Sequence, residues 1–569
     1  MSTGTGTKSA AKKTSKAAAT KTSKTAATKP ASTAKKASKT AATKPASTAK
    51  KTSKTAAPAA RKPAPLVPND LLSRTLSAIE SVPASTWTSG EAAAITDEIL
   101  AALDVCLAAG RLDLATTIAG RIPAVQRGRV LAHLAFAGHA DPEAALEALV
   151  LGLPLADRGA GSAELAAFAL AAVTKLPASP RAAEVDAAVA AVVDACFEAE
   201  WTHDLGPVVD AYMERGDRAA VAAMIERAGE ELSEALARGV WALEDPAKIR
   251  PLVDRSNADG ALQSRWIDVR AWSLDDLRAL ASVARGTWAP KPLGTALMAC
   301  GRVADARALL LDDPEWDTFY LSWKIERYLL AGDEAAAKAA LEGSPPPTEE
   351  FLLWARMQVE YGLRDFHALW PIGGKWEKGR SVMHSIQTIT LLIVDALARG
   401  DDPSGFGPAL AAIDALFANP TRSQYDRGVE GSRRNEVAMI RARLAIANGN
   451  LAAAQAQIDA DLAAIAGLLA HAKDAYGRAE LLREFAARAI VVDRPDVALK
   501  AAKKIPPSYR SAHAATIARG FLPSGPGDAI KALDQLATDP AKRLLHGRGL
   551  LAALWSAVLP PATQAAAAT

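Results

Sequence analysis

Four times along this chain an apolar residue is followed three positions later by glycine and five positions after that by a small residue, and a fifth stretch, ending in Val221, nearly fits. The units are Leu107–Gly110–Ala115, Met213–Gly216–Val221, Met298–Gly301–Ala306, Leu329–Gly332–Ala337 and Ile446–Gly449–Ala454. Few architectures accommodate such a unit. Glycine takes the left-handed backbone conformation that ends a helix, and the small residue lets the helix after the turn lie close against the helix before it. Asp, Asn or Arg follows each glycine, which suits a tight turn between helices. No sustained two-residue alternation argues for a sheet. The pattern predicts an all-α chain, a superhelical array of helical hairpins. Pro63, Pro65 and Pro68 precede the array, and Asn69 or Asp70 is placed to cap its first helix before Leu71. The expected divisions are a basic tail over 1–68, a helical repeat body over 69–560 and a disordered C-terminal tail over 561–569.

A longer internal match supports repetition. Residues 107–127 align without gaps to residues 490–510, with Arg111/Arg494, Asp113/Asp496, Ala115/Ala498, Ala119/Ala502, Ile122/Ile505, Pro123/Pro506 and Arg127/Arg510 identical. Leu176, Pro177 and Arg181 echo the last element with the same Pro-to-Arg spacing. Proline is tolerated in the first turn of a helix because its missing N–H has no intrahelical partner there. The stretch Gly301–Pro314 and the unit from Tyr328 to Leu341 resemble tetratricopeptide repeats and their looser bacterial relatives. That resemblance implies a right-handed α-solenoid whose concave face binds a protein or peptide client.

The region before the body has a different chemistry. Of the chain's 67 Lys/Arg residues, 16 fall in residues 1–68, and none of its 63 Asp/Glu does. The formal charge of +4 therefore divides into a basic arm and a body with 51 basic against 63 acidic groups, a net of −12. Residues 25–39, TAATKPASTAKKASK, recur as residues 40–54 with only Ala37 changed to Thr52. No aromatic residue precedes Trp87, and no Leu, Ile or Val precedes Leu66. Such an arm cannot bury enough apolar surface to offset the entropy of ordering, so it is expected to be disordered.

Spaced ammonium groups displace counterions from phosphates without reading bases. The paired Lys12–Lys13, Lys35–Lys36 and Lys50–Lys51, with Arg61 and Lys62, are the expected nucleic-acid contacts. The absence of aromatics removes any stacking platform for unpaired bases, and Arg61 is the arm's only guanidinium, so base-specific recognition is not expected. If about half of the cations met phosphates, the log–log salt slope would be roughly −7. A coil of this length spans roughly 45 Å. The Lys-Pro-Ala and Ala-Lys-Lys units at Lys29–Ala31, Lys44–Ala46, Ala34–Lys36 and Ala49–Lys51 resemble the tails of linker histones and of bacterial histone-like proteins. That resemblance too implies non-specific DNA binding. The same charges suit an anionic membrane surface or the acidic body itself. Phosphorylation of the arm's Ser and Thr would offset one or two charges each.

Catalytic patterns are sparse. Ile372–Ser381 carries Lys375, Lys378 and Arg380 but lacks the spacing with which a P-loop cradles phosphate. Gly161–Ser162 lacks the strand–turn–helix context of a nucleophile elbow. His133 and His139 are six residues apart, on different helical faces. Asp312–Asp313 and Glu349–Glu350 read as caps or solvated charges. Cys106, Cys196 and Cys300 are at least 90 residues apart in apolar helical patterns, which predicts buried free thiols rather than a disulfide framework or a zinc site. No signal peptide or membrane span is evident, which points to a cytoplasmic, or nucleoid-associated, protein.

Two regions depart from the hairpin pattern. Nine of the twelve Trp lie between Trp241 and Trp376, among them Trp266, Trp272, Trp316, Trp323, Trp354 and Trp370; they fill space between Ala-rich helices or line an aromatic groove. Asn419–Asn435, with Arg422, Arg427, Arg433 and Arg434, reads as a long polar connection, solvated or anion-binding. The expectation is a non-enzymatic scaffold without cofactor or metal, whose body holds a protein client and whose arm binds nucleic acid. The alternative is the same scaffold with an arm that solubilises the chain or associates with the acidic body.

Overall fold

The computed structural model describes residues 66–157, 159–176, 180–283, 290–311, 321–342, 354, 357–358, 360–363, 382–418, 424–472, 474–546 and 549–559. Every regular element among them is a helix, and the chain is an α-solenoid of packed hairpins. The first helix, Pro68–Ser81, begins with proline in its first turn and Val67 at the N-cap. Asn69 and Asp70 therefore lie inside the first turn instead of capping it; Asp70 there still complements the positive end of the helix dipole.

All five glycine units form the same helix end. Each glycine has φ between 70° and 82°. Its N–H donates to the carbonyl of the apolar residue three before it at 2.9–3.1 Å, and the next N–H reaches back five residues at 2.7–2.9 Å. These paired bonds satisfy carbonyls that a helix otherwise leaves orphaned. The small residue after each turn is buried. The residue following glycine acts in one of two ways. Asp217, Asp333 and Asn450 accept from backbone N–H groups in the first turn of the next helix, whereas Arg111 and Arg302 reach Asp113 and Asp305 at 2.8 Å.

The aligned segments 107–127 and 490–510 match in side-chain detail. Asp493 takes the left-handed conformation (φ 57°) where its counterpart is Gly110 (φ 71°). Arg494 bonds Asp496 as Arg111 bonds Asp113, and Nε of Arg510 donates to the Ile505 carbonyl at 3.1 Å as Arg127 does to Ile122 at 3.2 Å. Ala115, Ala119 and Ile122 are buried, as are Ala498, Ala502 and Ile505. Pro123 and Pro506 sit at the N-cap, one residue ahead of the first helical turn. Pro177 lies outside the described residues, and Arg181 faces Glu143, Glu147 and Glu184.

Two expectations are corrected. The polar stretch expected as a connection enters a 24-residue helix, Gln424–Ala447. Its charges serve the helix: Arg434 pairs with Glu430 and Arg433 with Glu436 at helical spacing. Asn435 is buried and donates to the Leu481 carbonyl at 3.1 Å, and the buried Asp426 accepts from the Met383 N–H at 3.0 Å. Arg427 is exposed on the same helix, and Arg422 lies outside the described residues. Of the three thiols, Cys106 and Cys196 are buried but Cys300 is exposed, because it occupies the turn before Gly301 rather than the helix face.

The first and last helices of the body pack against each other. Pro68–Ser81 meets Pro540–Leu545, and Glu91–Ala108 meets Leu550–Val558. Glu98, only 8% exposed, accepts from the Gly549 N–H at 2.6 Å and the Leu551 N–H at 3.0 Å. Arg74 adds a two-pronged contact to Asp534 at 3.2 Å. One apolar core runs through both ends of the body, and a second gathers around Ile325, Trp354, Met383, Ile393 and Phe406.

Candidate functional site

One groove of the solenoid deepens where facing helices carry alanine. Gln424–Ala447 and Leu451–Ala463 present Ala438, Ala442, Ala445, Ala453 and Ala454 to one another beside Ala475–Val491, leaving a cavity of about 410 Å³. Its polar corner is Arg488, whose side chain is 5% exposed. One guanidinium nitrogen donates to Asp461 Oδ2 at 2.8 Å, and Gln457 Nε2 donates to Asp461 Oδ1 at 2.7 Å. Nε of Arg488 has no hydrogen-bond partner. The guanidinium lies 5.1 Å from the centre of the buried Phe485 ring. Burial lowers the Arg488 pKa from its ordinary value, and Asp461 opposes that loss. Arg441 lines the cavity and pairs with Asp414 at 2.7 Å. An apolar pit with one buried cation can take an apolar side chain that ends in an acceptor; Arg488 itself holds its proton and acts as a donor there.

Sequence reasoning missed Arg488. The signal was present, because Leu481, Phe485 and Arg488 follow the i, i+4, i+7 stripe of a buried helix face, and a charge on that stripe marks a buried cation. The predicted phosphate contacts Lys12, Lys13, Lys35, Lys36, Lys50, Lys51, Arg61 and Lys62 all lie outside the described residues. So do Asp312–Asp313, Glu349–Glu350, Lys375, Lys378 and Arg380.

Of the tryptophans between Trp241 and Trp376, Trp241, Trp272 and Trp354 are buried. The Trp241 indole donates to the Ala261 carbonyl at 2.8 Å and that of Trp354 to Leu341 at 2.6 Å, so these three fill space between helices. Trp266 is half-buried and donates to Asp210 at 2.9 Å; Trp316, Trp370, Trp376 and the side chain of Trp323 lie outside the described residues. His133 and His139 are not brought into one site: His133 Nε2 stands 2.6 Å from Asp104, and His139 is exposed in the following turn. The buried Ser162 hydroxyl donates to the Gly159 carbonyl at 2.9 Å in the first turn of Ala160–Lys175. Among the described residues no group of three His, Cys, Asp or Glu side chains is placed to hold a metal ion, and no helix is long and apolar enough to cross a membrane.

No protein-family model matches the chain, and no curated protein does. A solved structure described as a circular tandem repeat protein with novel repeat topology and enhanced subunit contact surfaces is 14% identical, with 84% of this chain and all of that one covered, at a TM-score of 0.11. At that score the assignment of the fold rests on this chain's own turns and contacts.

Proposed function

We propose that this protein is a non-enzymatic interaction scaffold: a tetratricopeptide-like helical body that binds a protein or peptide client, tethered through its basic arm to nucleic acid. The observation that carries the reading is the division of charge, 16 cations and no carboxylate in residues 1–68 against a body of net −12. A phosphate polymer is attracted to the first and repelled by the second. Lys12, Lys13, Lys35, Lys36, Lys50, Lys51, Arg61 and Lys62 would supply sequence-independent phosphate contacts. The body contributes surface, and the Ala-lined cavity with Arg488 at its corner is the place on it best suited to anchor a client side chain. Capture of DNA by the arm would raise the local concentration of that client along the polymer.

The test is mobility shift with duplex DNA across a salt series, full-length protein beside a chain lacking residues 1–65. The full chain is expected to bind with a steep salt slope, and the truncated chain to remain folded and not bind. A truncated chain that still shifts DNA at low salt would sink the proposal. The body's acidic surplus supports a second reading, in which the arm associates with the body. It predicts no DNA shift by the full chain at moderate salt, together with arm resonances that move on raising salt.

A further inference from the structure

A second cleft, of about 510 Å³, opens between the helices Ala475–Val491, Pro507–Arg519 and Pro540–Leu545. Its polar lining is Glu480 and Arg483 from the first helix, His513 and Thr516 from the second, and Arg543 with His546 from the third. Ile490, Ile517 and three alanines make up the rest. Four of the six polar groups are basic, in a body whose surplus is acidic. Glu480 is the one carboxylate in the lining and is engaged by Arg483 at 2.8 Å; His513 Nε2 lies 3.6 Å from its other oxygen. Arg543 forms no ion pair with any described residue.

We propose that this cleft is a binding site for a phosphate monoester, with Arg543 and Arg483 gripping the phosphoryl oxygens, Thr516 donating its hydroxyl, and Ile490 and Ile517 packing against the ester's organic group. The cleft is larger than a bare phosphate needs and falls in the size range of small-molecule sites. Its donors come from three helices, which suits a tetrahedral oxyanion better than a planar carboxylate bound by one arginine.

The histidines report the local field. Burial is the main cause that lowers both of their pKa values. Arg483 and Arg543 add to it at His513 against Glu480, and Arg543 and Lys542 add to it at His546 against Glu91 and Asp539. Burial thus does most to keep the two imidazoles neutral, and the neighbouring cations add to it. A phosphate dianion reverses that balance, so both imidazoles take up protons as it binds.

The experiment is NMR titration of the histidine ring signals of the full-length protein in inorganic phosphate, phosphoserine or dimethyl phosphate, with chloride at matched ionic strength as the baseline. Arg543→Gln is the test variant and Arg543→Lys the second, charge-retaining one. The expected result is that phosphate and phosphoserine raise the titration midpoints of His513 and His546 by about one pH unit or more. Phosphoserine should bind at least as tightly as phosphate, and R543Q should weaken both about tenfold while R543K keeps most of the affinity. The basic arm is common to all three proteins and cannot create a difference between them. Unmoved midpoints, or equal affinity in R543Q, would overturn the proposal. Dimethyl phosphate binding as tightly as phosphoserine would overturn the assignment to a monoester, since the diester carries one charge and no free dianionic face.

Discussion

Removing the Glu98 carboxylate tests whether the contact between the two ends of the body is energetically significant. Glu98 lies on Glu91–Ala108 and accepts two backbone N–H groups, Gly549 at 2.6 Å and Leu551 at 3.0 Å, at the start of Leu550–Val558. In Glu98→Ala both donors lose a charged acceptor, and the environment that keeps Glu98 8% exposed leaves little room for replacement water. Hydrogen bonds to a charged group contribute about 1.5–3 kcal/mol each, but two on one carboxylate are not independent; a total loss of about 2–4 kcal/mol is the reasonable bracket. Helix-dipole stabilisation by the same carboxylate lies inside that bracket rather than on top of it. A body of this size is not expected to unfold in a single step, so the assay is native-state hydrogen exchange. Amides of Leu550–Val558 and the facing turns of Glu91–Ala108 should exchange roughly 30- to 1,000-fold faster in E98A, with the turns around Gly216 and Gly301 unchanged. E98Q, which keeps one neutral acceptor, should fall between E98A and wild type. If protection in Leu550–Val558 changes less than about threefold in E98A, the ends are held by apolar packing alone and the carboxylate contributes nothing.

Other consequences are as direct. At Gly128 a Cβ would sit 2.5 Å from the Leu149 nitrogen and 2.7 Å from its Cα, so Gly128→Ala must push two helices apart and should cost about 2–3 kcal/mol, read as faster amide exchange in Ala124–Phe136 and Pro142–Gly152. Around Gly301 a Cβ meets nothing within 4 Å, and only the φ of +82° opposes it; Gly301→Ala should cost about 1 kcal/mol. Equal losses in the two variants would refute the separation of crowding from backbone strain. Because His513 and His546 have lowered pKa values in the folded chain, the stability they contribute is full above the ordinary histidine value and is lost as pH falls through the depressed folded values. Denaturation midpoints across the mildly acidic range should therefore fall less in a His513→Gln, His546→Gln double variant than in wild type.

The parts that local sequence revealed are those that local geometry governs. A left-handed turn requires particular residues at particular offsets, so the five glycine units were visible and each forms the expected helix end. The equivalent turn at Asp493 (φ 57°) carries no glycine and was reached only through the longer match to residues 107–127. The first half of the Gln424–Ala447 helix was hidden because its polarity resembles that of a loop; the helix is held by Val437, Ile440 and Leu444 in the core, and its polar half adds Arg–Glu pairs at helical spacing and the bonds of Asn435 and Asp426 to neighbouring backbone, which composition alone does not reveal. Arg488 was missed for the opposite reason, since a charged residue is ordinarily assigned to the solvent face.

The contact between the ends lay beyond any local pattern, with Glu98 and Gly549 separated by 451 positions. One indirect signal was nevertheless present. An open solenoid needs terminal helices with a polar outer face to keep its apolar stacking surface from water. Leu550–Val558 reads LLAALWSAV, without a charged residue, and Leu550, Leu551, Leu554 and Trp555 are all buried. A helix of that composition cannot act as a cap and must itself be covered. Glu91–Ala108 covers it, and Glu98 satisfies the backbone donors at its start. The same reasoning bears on the client. With the end faces engaged in each other, a partner is not expected to dock by continuing the stack, and the proposed client would be directed to the grooves between hairpins. The Arg488 cavity lies in one of these grooves, so a client should compete for that cavity while leaving exchange protection in Leu550–Val558 unchanged.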